Sequence, residues 1–219
     1  MVVFDLDGTL VDSRRDLAEA ANLVLEDSGA LRLSEGAIGR MVGDGAAALV
    51  ARAFAAAGVP PPADALDRFL AVYDERLLAH TRAYPGIPEC LSTLRQRMPL
   101  ALLTNKPRGA TCEILEGLDL ARYFEQDAII AGDGPFPRKP DPAGLRHLAE
   151  RAGVAAADTL LVGDSLVDLK TASAGGSAIC LAKYGFGFET VRAAGSASTE
   201  WTIDAPLDLL TVYRKNTLR

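Results

Sequence analysis

The chain has 219 residues, of which 49% are hydrophobic and 24% are charged, as in water-soluble globular proteins with one sizeable domain or a domain plus an insertion. Its formal net charge of −6 does not favour binding to nucleic acid or to an anionic membrane surface. No apolar run is long enough to span a bilayer, and the early first strand leaves no room for a signal peptide. The three cysteines are widely spaced and lack a CxxC pair, which favours reduced thiols in a cytoplasmic protein.

The first predicted strand spans about residues 2–6, and a long helical stretch follows it. Between 14 and 80 the sequence is rich in alanine and is divided by turns that contain glycine or proline. This pattern predicts about four helices and no strand. Leu17, Ala21 and Val24 fit one face of the first helix.

From residue 84 onwards, predicted helices alternate with predicted strands. The helices are expected at 87–97, 108–117, 142–152 and 165–174, and the strands at 100–103, 128–130, 160–162 and 178–181. Such alternation is typical of a parallel sheet that is covered by helices on both faces. We therefore predict an α/β fold, a doubly wound parallel sheet with an inserted all-helical domain. Residues 1–13 and 81–219 would form the α/β core domain, and residues 14–80 the helical domain.

Two carboxylates, Asp5 and Asp7, follow the apolar start of the first strand. Side chains alternate along a strand, so both would point to the same side of an ideal strand. Nearby anions repel and perturb each other's protonation. Such a pair is therefore tolerated where the two carboxylates bind a cation or take part in chemistry on an anionic group. The alternative is a strand that ends in a polar turn.

Polar residues also follow three other predicted strands. They are Thr104-Asn105, then Lys139 before Pro140, and finally Asp164 with Asp168 four residues later. Each could instead serve as a helix cap or a solvated charge. Pockets in parallel sheets lie beyond the carboxyl ends of the strands. The occurrence of these polar residues at that one edge therefore favours a binding site.

The charges at this edge predict a bound cation. Four aspartates face one lysine, and carboxylate oxygens suit a hard divalent ion, so we expect Mg²⁺. An Mg²⁺ ion held by few carboxylates usually also meets a phosphate. The site thus indicates phosphoryl transfer.

These four motifs, in this order, closely resemble those of the haloacid-dehalogenase-like phosphatases. They are Asp5-x-Asp7-Gly8-Thr9, Thr104-Asn105, Lys139-Pro140 and Gly163-Asp164-x-x-x-Asp168. The likeness spans nearly the whole chain, and the helical insertion resembles the C1 cap of that superfamily. Within it, the chain is most similar to bacterial phosphoglycolate phosphatases.

The resemblance implies a role for each motif residue. Asp5 would be the nucleophile that forms an aspartyl-phosphate, and Asp7 the acid and base that moves protons. Thr104 and Lys139 would hold and neutralise the phosphoryl group. The metal ligands would be Asp5, Asp7 through its backbone carbonyl, Asp164, and Asp168 either directly or as an outer partner.

Substrate choice is expected to come from the helical cap. Arg40 and the turn at Gly43 are the candidates for contact with the leaving group, because a small carboxylate would favour an arginine. Arg40 could equally be a solvated helix residue. We also expect Gly8, Thr9 and Asn105 to contribute to substrate binding.

The function we predict is Mg²⁺-dependent hydrolysis of a small phosphate monoester, with 2-phosphoglycolate the favoured substrate. The alternatives are a phosphatase of another sugar phosphate or nucleotide, a sugar-phosphate mutase similar to β-phosphoglucomutase, and a non-catalytic phosphate-binding protein. The expected partner is a small phosphorylated metabolite, without nucleic acid or membrane. The protein is expected to be a monomer or a homodimer.

Overall fold

The computed structural model describes residues 1–195 and 201–216, the last four of them as backbone only. The strands are β1 (Val2–Phe4), β2 (Val11–Asp12), β3 (Arg82–Ala83), β4 (Leu100–Leu103), β5 (Ile129–Ile130), β6 (Leu160–Gly163), β7 (Ala178–Ala182) and β8 (Trp201–Ile203). The helices are α1 (Arg14–Asp27), α2 (Glu35–Gly39), α3 (Ala46–Ala57), α4 (Ala65–Asp74), α5 (Ile87–Arg95), α6 (Arg108–Gly117), α7 (Ala143–Arg151), α8 (Leu166–Gly175), α9 (Phe188–Ala193) and α10 (Asp208–Asn216). None of these helices is both long and apolar enough to cross a bilayer.

Six parallel strands form one sheet, in the order β5-β4-β1-β6-β7-β8. The central strand β1 lies between β4 and β6, and Val2 pairs with Leu100 on one side and with Leu160 on the other. The predicted α/β class with a doubly wound parallel sheet is therefore confirmed.

Side chains that alternate along the strands pack into two separate apolar clusters, one on each face of the sheet. Val2 and Phe4 belong to a cluster that also contains buried residues of α5 and α6. Val3 belongs to the cluster on the opposite face, which includes α7 and α8. Because both faces of the sheet are covered, each central strand is apolar throughout.

The four helices α1–α4 form the helical segment, which we define as residues 14–80. Its apolar residues, such as Leu25, Phe54 and Phe69, continue the core cluster that contains Phe4. A short antiparallel ribbon of β2 and β3 carries the chain into and out of this segment. The ribbon was not predicted, because two residues per strand are too few for a periodic pattern.

A buried carboxylate fastens the return of the chain from the helical segment. Asp16, in the first turn of α1, is fully buried. One of its oxygens accepts hydrogen bonds from the backbone amides of His80 and Thr81 at 2.8 and 2.7 Å and from the Thr81 hydroxyl at 2.8 Å. The start and the end of the helical segment are thereby joined.

The structure differs from the sequence prediction at both ends of the sheet. The first strand ends at Phe4 rather than at residue 6, because the carbonyl of Leu6 accepts the amides of Thr9, Leu10 and Val11 and closes a turn. At the other edge, β8 adds a sixth strand that was not predicted, and α9 and α10 flank it in the chain.

We predict that Asp16→Ala lowers the free energy of unfolding by about 3 kcal/mol or more, because three hydrogen bonds to a buried charge are lost. Urea denaturation would measure the change. The control is Asp27→Ala, which removes an ion pair with Arg68 in which the carboxylate is 67% exposed. Its cost should stay below about 1 kcal/mol. Equal destabilisation by the two variants would contradict the role of Asp16.

Candidate active site

The carboxyl ends of the three central strands bring the first site residues together. Asp5 follows β1, Thr104 follows β4 and Asp164 follows β6. Thr104 is fixed by its amide, which donates to the carbonyl of Ile130 at 3.0 Å, and its hydroxyl accepts from the amide of Lys106 at 3.2 Å. All three side chains are buried and line the same cavity.

Three buried carboxylates form the floor of the site. Oxygen atoms of Asp5, Asp164 and Asp168 lie within 4.8 Å of one another. The ammonium of Lys139 is 2.8 Å from Asp5 Oδ1 and 2.6 Å from Asp168 Oδ1. One lysine therefore faces three carboxylates, an imbalance that an added cation would relieve.

Burial and mutual repulsion raise the pKa values of two of these acids. Burial raises the pKa of Asp5 to about 7, with Lys139 opposing the shift and Asp168 adding to it. Burial, then the charges of Asp168 and Asp5, raise the pKa of Asp164 well above its usual range, although the amide of Gly187 donates to it. A cation held between the carboxylates would stabilise their ionised forms.

Asp168 is engaged by protein groups through both oxygens. Its Oδ1 accepts from Lys139, and its Oδ2 accepts from the amide and the hydroxyl of Ser165 at 3.1 and 2.6 Å. Ser165 and Asp168 thus form a capping box at the start of α8. Asp168 fixes Lys139 against Asp5.

Asp7 lies apart from this cluster of three carboxylates. The strand ends at Phe4, so the turn after β1, rather than strand alternation, positions Asp7, while Asp5 and Asp7 both line the same cavity. The Oδ1 of Asp7 accepts from the Ser13 hydroxyl at 2.5 Å, and the ammonium of Lys106 is 3.1 Å from both carboxylate oxygens. The Asp7 carboxylate therefore has its own counter-charge.

Lys106 connects Asp7 with the helical segment. Its ammonium also donates to the hydroxyl of Tyr73, on α4, at 2.6 Å. Burial alone would lower the pKa of Lys106, but Asp7 and Tyr73 outweigh it and hold that pKa above its usual range. Lys106 therefore stays charged inside the protein.

Asn105 joins three segments of the chain. Its amide group donates to the carbonyls of Gly43 and Lys139 at 2.8 and 2.9 Å, and its Oδ1 accepts from the amide of Lys139 at 2.8 Å. The side chain is thereby used for positioning. It holds the loop that carries Lys139 and the Gly43 turn of the helical segment.

Gly8 and Thr9 support the site from behind. Gly8 has a φ of +86°, and a Cβ there would collide with the carboxylate of Asp164. Thr9 is fully buried, its carbonyl accepts from the Tyr184 hydroxyl at 3.0 Å, and its own hydroxyl has no partner among the described residues. Neither residue is among those that line the cavity.

The helical segment closes the cavity with mainly apolar groups. They include Leu17, Val42, Leu49, Phe69 and Leu70. Gly43 also lines the cavity, as expected, whereas Arg40 is exposed at the end of α2 and is not among the lining residues.

Known proteins resemble this chain both in sequence and in fold. Residues 1–176 match the haloacid dehalogenase-like hydrolase family. This chain belongs to that family. It is 44% identical to a phosphoglycolate phosphatase of Rhodospirillum rubrum, over 89% of this chain and 84% of the relative. It is 39% identical to a plasmid-encoded phosphoglycolate phosphatase of Cupriavidus necator, over 84% and 81%.

A solved structure gives the same result for the whole fold. The crystal structure of a predicted phosphoglycolate phosphatase from Haemophilus somnus 129pt superimposes with a TM-score of 0.88 at 30% identity, covering 97% of both chains. Because the relatives with this degree of identity are phosphatases, we conclude that this haloacid dehalogenase-like hydrolase is also a phosphatase.

Lys106 and Tyr73 were not predicted as site residues from the sequence, although Lys106 lies in the polar run Thr104-Asn105-Lys106 after β4. Lys106 directly follows the Thr104-Asn105 motif, and its place at a strand end beside two motif residues was the available signal. No feature of the sequence marked Tyr73 as a site residue, because it lies on an ordinary amphipathic helix.

We predict that Gly8→Ala lowers phosphate release about a hundredfold, because displacement of Asp164 disturbs the geometry of the site. Gly58→Ala is the matched control. Gly58 also has a positive φ, +74°, but nothing lies within 4 Å of a Cβ there. Both variants should share a strain cost of about 1 kcal/mol, measured by thermal unfolding, while only Gly8→Ala loses activity in a phosphate-release assay. Full activity of Gly8→Ala would contradict this account.

Proposed function

We propose that the phosphatase hydrolyses 2-phosphoglycolate to glycolate and phosphate, with Mg²⁺ and through an aspartyl-phosphate on Asp5. The observation that carries the proposal is the contact of the Lys139 ammonium with Asp5, an acid that lines the cavity beyond the strand ends. The ammonium sits where it can fix the nucleophile and meet the negative charge of a phosphoryl group. We propose 2-phosphoglycolate as the substrate because two similar relatives are phosphoglycolate phosphatases.

The donor set fits Mg²⁺. It consists of carboxylate oxygens, the ligands that a hard divalent ion prefers, and one lysine does not balance it. We assign the ion to Asp5, Asp164 and the backbone carbonyl of Asp7. Asp168, whose oxygens already bind Lys139 and Ser165, would be an outer partner. When bound, Mg²⁺ would supply positive charge against the phosphoryl oxygens.

In the first step, Asp5 attacks phosphorus. Lys139 contacts Oδ1 of Asp5, and we assign the attack to Oδ2. The bond between phosphorus and the glycolate oxygen breaks, while Asp7, which enters this step as the protonated acid, gives that oxygen its proton and becomes the carboxylate. Thr104 and Lys139 would stabilise the charge on the transferring group.

In the second step, water replaces the enzyme as the partner of phosphorus. Asp7 takes a proton from the water, whose oxygen attacks phosphorus as the bond to Asp5 breaks. Phosphate leaves, and both aspartates return to their starting state. Ser13 and Lys106 hold the Asp7 carboxylate in place between the two proton transfers.

We further propose that the helical segment, residues 14–80, acts as a cap domain on the core formed by residues 1–13 and 81–219. Its apolar residues line the cavity above the strand ends. Such a cover would exclude water other than the attacking molecule. The scarcity of polar groups on that side favours a small leaving group over a sugar, whose hydroxyls would lack partners.

We predict that Asp5→Asn abolishes release of phosphate from a panel of phosphate esters with Mg²⁺, because an amide cannot replace the attacking carboxylate. Asp64→Asn, at an exposed aspartate without a capping bond, is the control and should keep wild-type activity. Activity of Asp5→Asn close to wild type would contradict the nucleophile assignment. Phosphoryl transfer between sugar phosphates with little release of phosphate would instead identify a mutase.

We predict that Mg²⁺ raises the unfolding temperature of the wild type and that a chelator removes the gain, because ligands that bind the folded state stabilise it. In Asp164→Asn the gain should be largely lost, while the remaining oxygen can still accept from the amide of Gly187. Differential scanning calorimetry would measure both proteins. An equal Mg²⁺ effect in the two would exclude Asp164 as a ligand.

A further inference from the structure

The hydroxyl of Tyr73 is a buried donor for which the described part of the chain offers no acceptor. Tyr73 is 3% exposed, and its oxygen accepts from Lys106 at 2.6 Å. Because an ammonium has donors only, the tyrosine must be the acceptor in that bond and keeps its own proton free to donate. Among the described side chains and backbone groups, nothing accepts this proton.

The position of the Tyr73 hydroxyl is fixed and its proton is retained. The ring stacks on Phe69, with centroids 5.8 Å apart and planes 11° from parallel. Burial raises the pKa of Tyr73 to about 12, with Lys106 opposing the shift, so the group remains a donor. The bond from Lys106 also polarises the hydroxyl and strengthens its donation.

The Lys106 ammonium, next to the Tyr73 hydroxyl, carries the positive charge of the described cavity wall. Of the described side chains that line the cavity, Lys106 is the one basic group, and the acidic ones are Asp5, Asp7, Asp74 and Asp164. An anionic leaving group would be repelled by the acids and attracted to the surroundings of Lys106. Arg40, the residue expected from the sequence for this task, does not reach the cavity.

We propose that Tyr73 and Lys106 form the subsite that binds the carboxylate of the substrate's leaving group. Tyr73 donates its free proton to a carboxylate oxygen, and Lys106, behind the hydroxyl, acts through it as a positioning residue. This inference rests on the proposed function, since it requires a substrate with a carboxylate. The subsite belongs jointly to α4 of the helical segment and to the loop after β4, so an anion seated there ties the two together.

The test compares 2-phosphoglycolate with 2-hydroxyethyl phosphate, which has a neutral CH₂OH in place of the carboxylate. In Tyr73→Phe we expect the ratio of kcat/KM for the acid over the neutral ester to fall about ten- to a hundredfold, the loss expected for a hydrogen bond to a charge. The loss should appear mainly in KM for 2-phosphoglycolate. Tyr123→Phe is the matched control, because its hydroxyl bonds to Arg122 and does not line the cavity.

A second variant separates recognition from proton transfer. Lys106→Met removes the charge behind Tyr73 and also the counter-charge of Asp7. If Lys106 served Asp7 alone, kcat would fall equally with both esters and the ratio would stay at the wild-type value. We expect the ratio to fall as well.

The outcomes distinguish the subsite from the proposed function. A wild type that prefers 2-phosphoglycolate, together with an unchanged ratio in both variants, overturns the subsite alone. A wild type with no preference for 2-phosphoglycolate overturns the proposed substrate, and the subsite with it. A reduced ratio in Tyr73→Phe and Lys106→Met, but not in Tyr123→Phe, supports the subsite.

Discussion

The buried ammonium of Lys139, held between Asp5 and Asp168, is the interaction on which the site depends. Taking charges out of water is costly unless they are paired in good geometry, and here both contacts are short, at 2.8 and 2.6 Å. Each partner is in turn held by something else. Asp168 caps α8 with Ser165, and the backbone of Lys139 is bonded to Asn105. The Asp5 carboxylate is therefore oriented by a network that reaches three strand ends.

Two consecutive residues after β4 link this network to the helical segment. Asn105 bonds to the carbonyl of Gly43, and Lys106 bonds to the hydroxyl of Tyr73. The same two side chains hold Lys139 and Asp7 on the core side. A movement of the helical segment would thus be transmitted to both Lys139 and Asp7, so the position of this segment and the order of the site are coupled.

The sequence predicted the parts of this arrangement that follow from periodicity and topology. Parallel strands end at one edge, and this is enough to gather Asp5, Thr104 and Asp164. The sequence could not predict the contact between Lys106 and Tyr73, because no local sequence pattern indicates how a helix packs onto the edge of a sheet. The two alternatives for Arg40 stayed open for the same reason, because a position near a turn does not say whether a side chain faces the cavity or the solvent.

The ribbon of β2 and β3 also has a consequence for how such a protein can change. Asp12 and Arg82 are direct partners across the ribbon, so the two ends of the helical segment lie side by side. A change in length between these ends therefore need not alter the register of the six-stranded sheet, because the ribbon keeps the entry and the exit of the segment together. Sequence variation in the helical segment can thus change the cavity wall that it contributes, while the six-stranded sheet keeps its strand order.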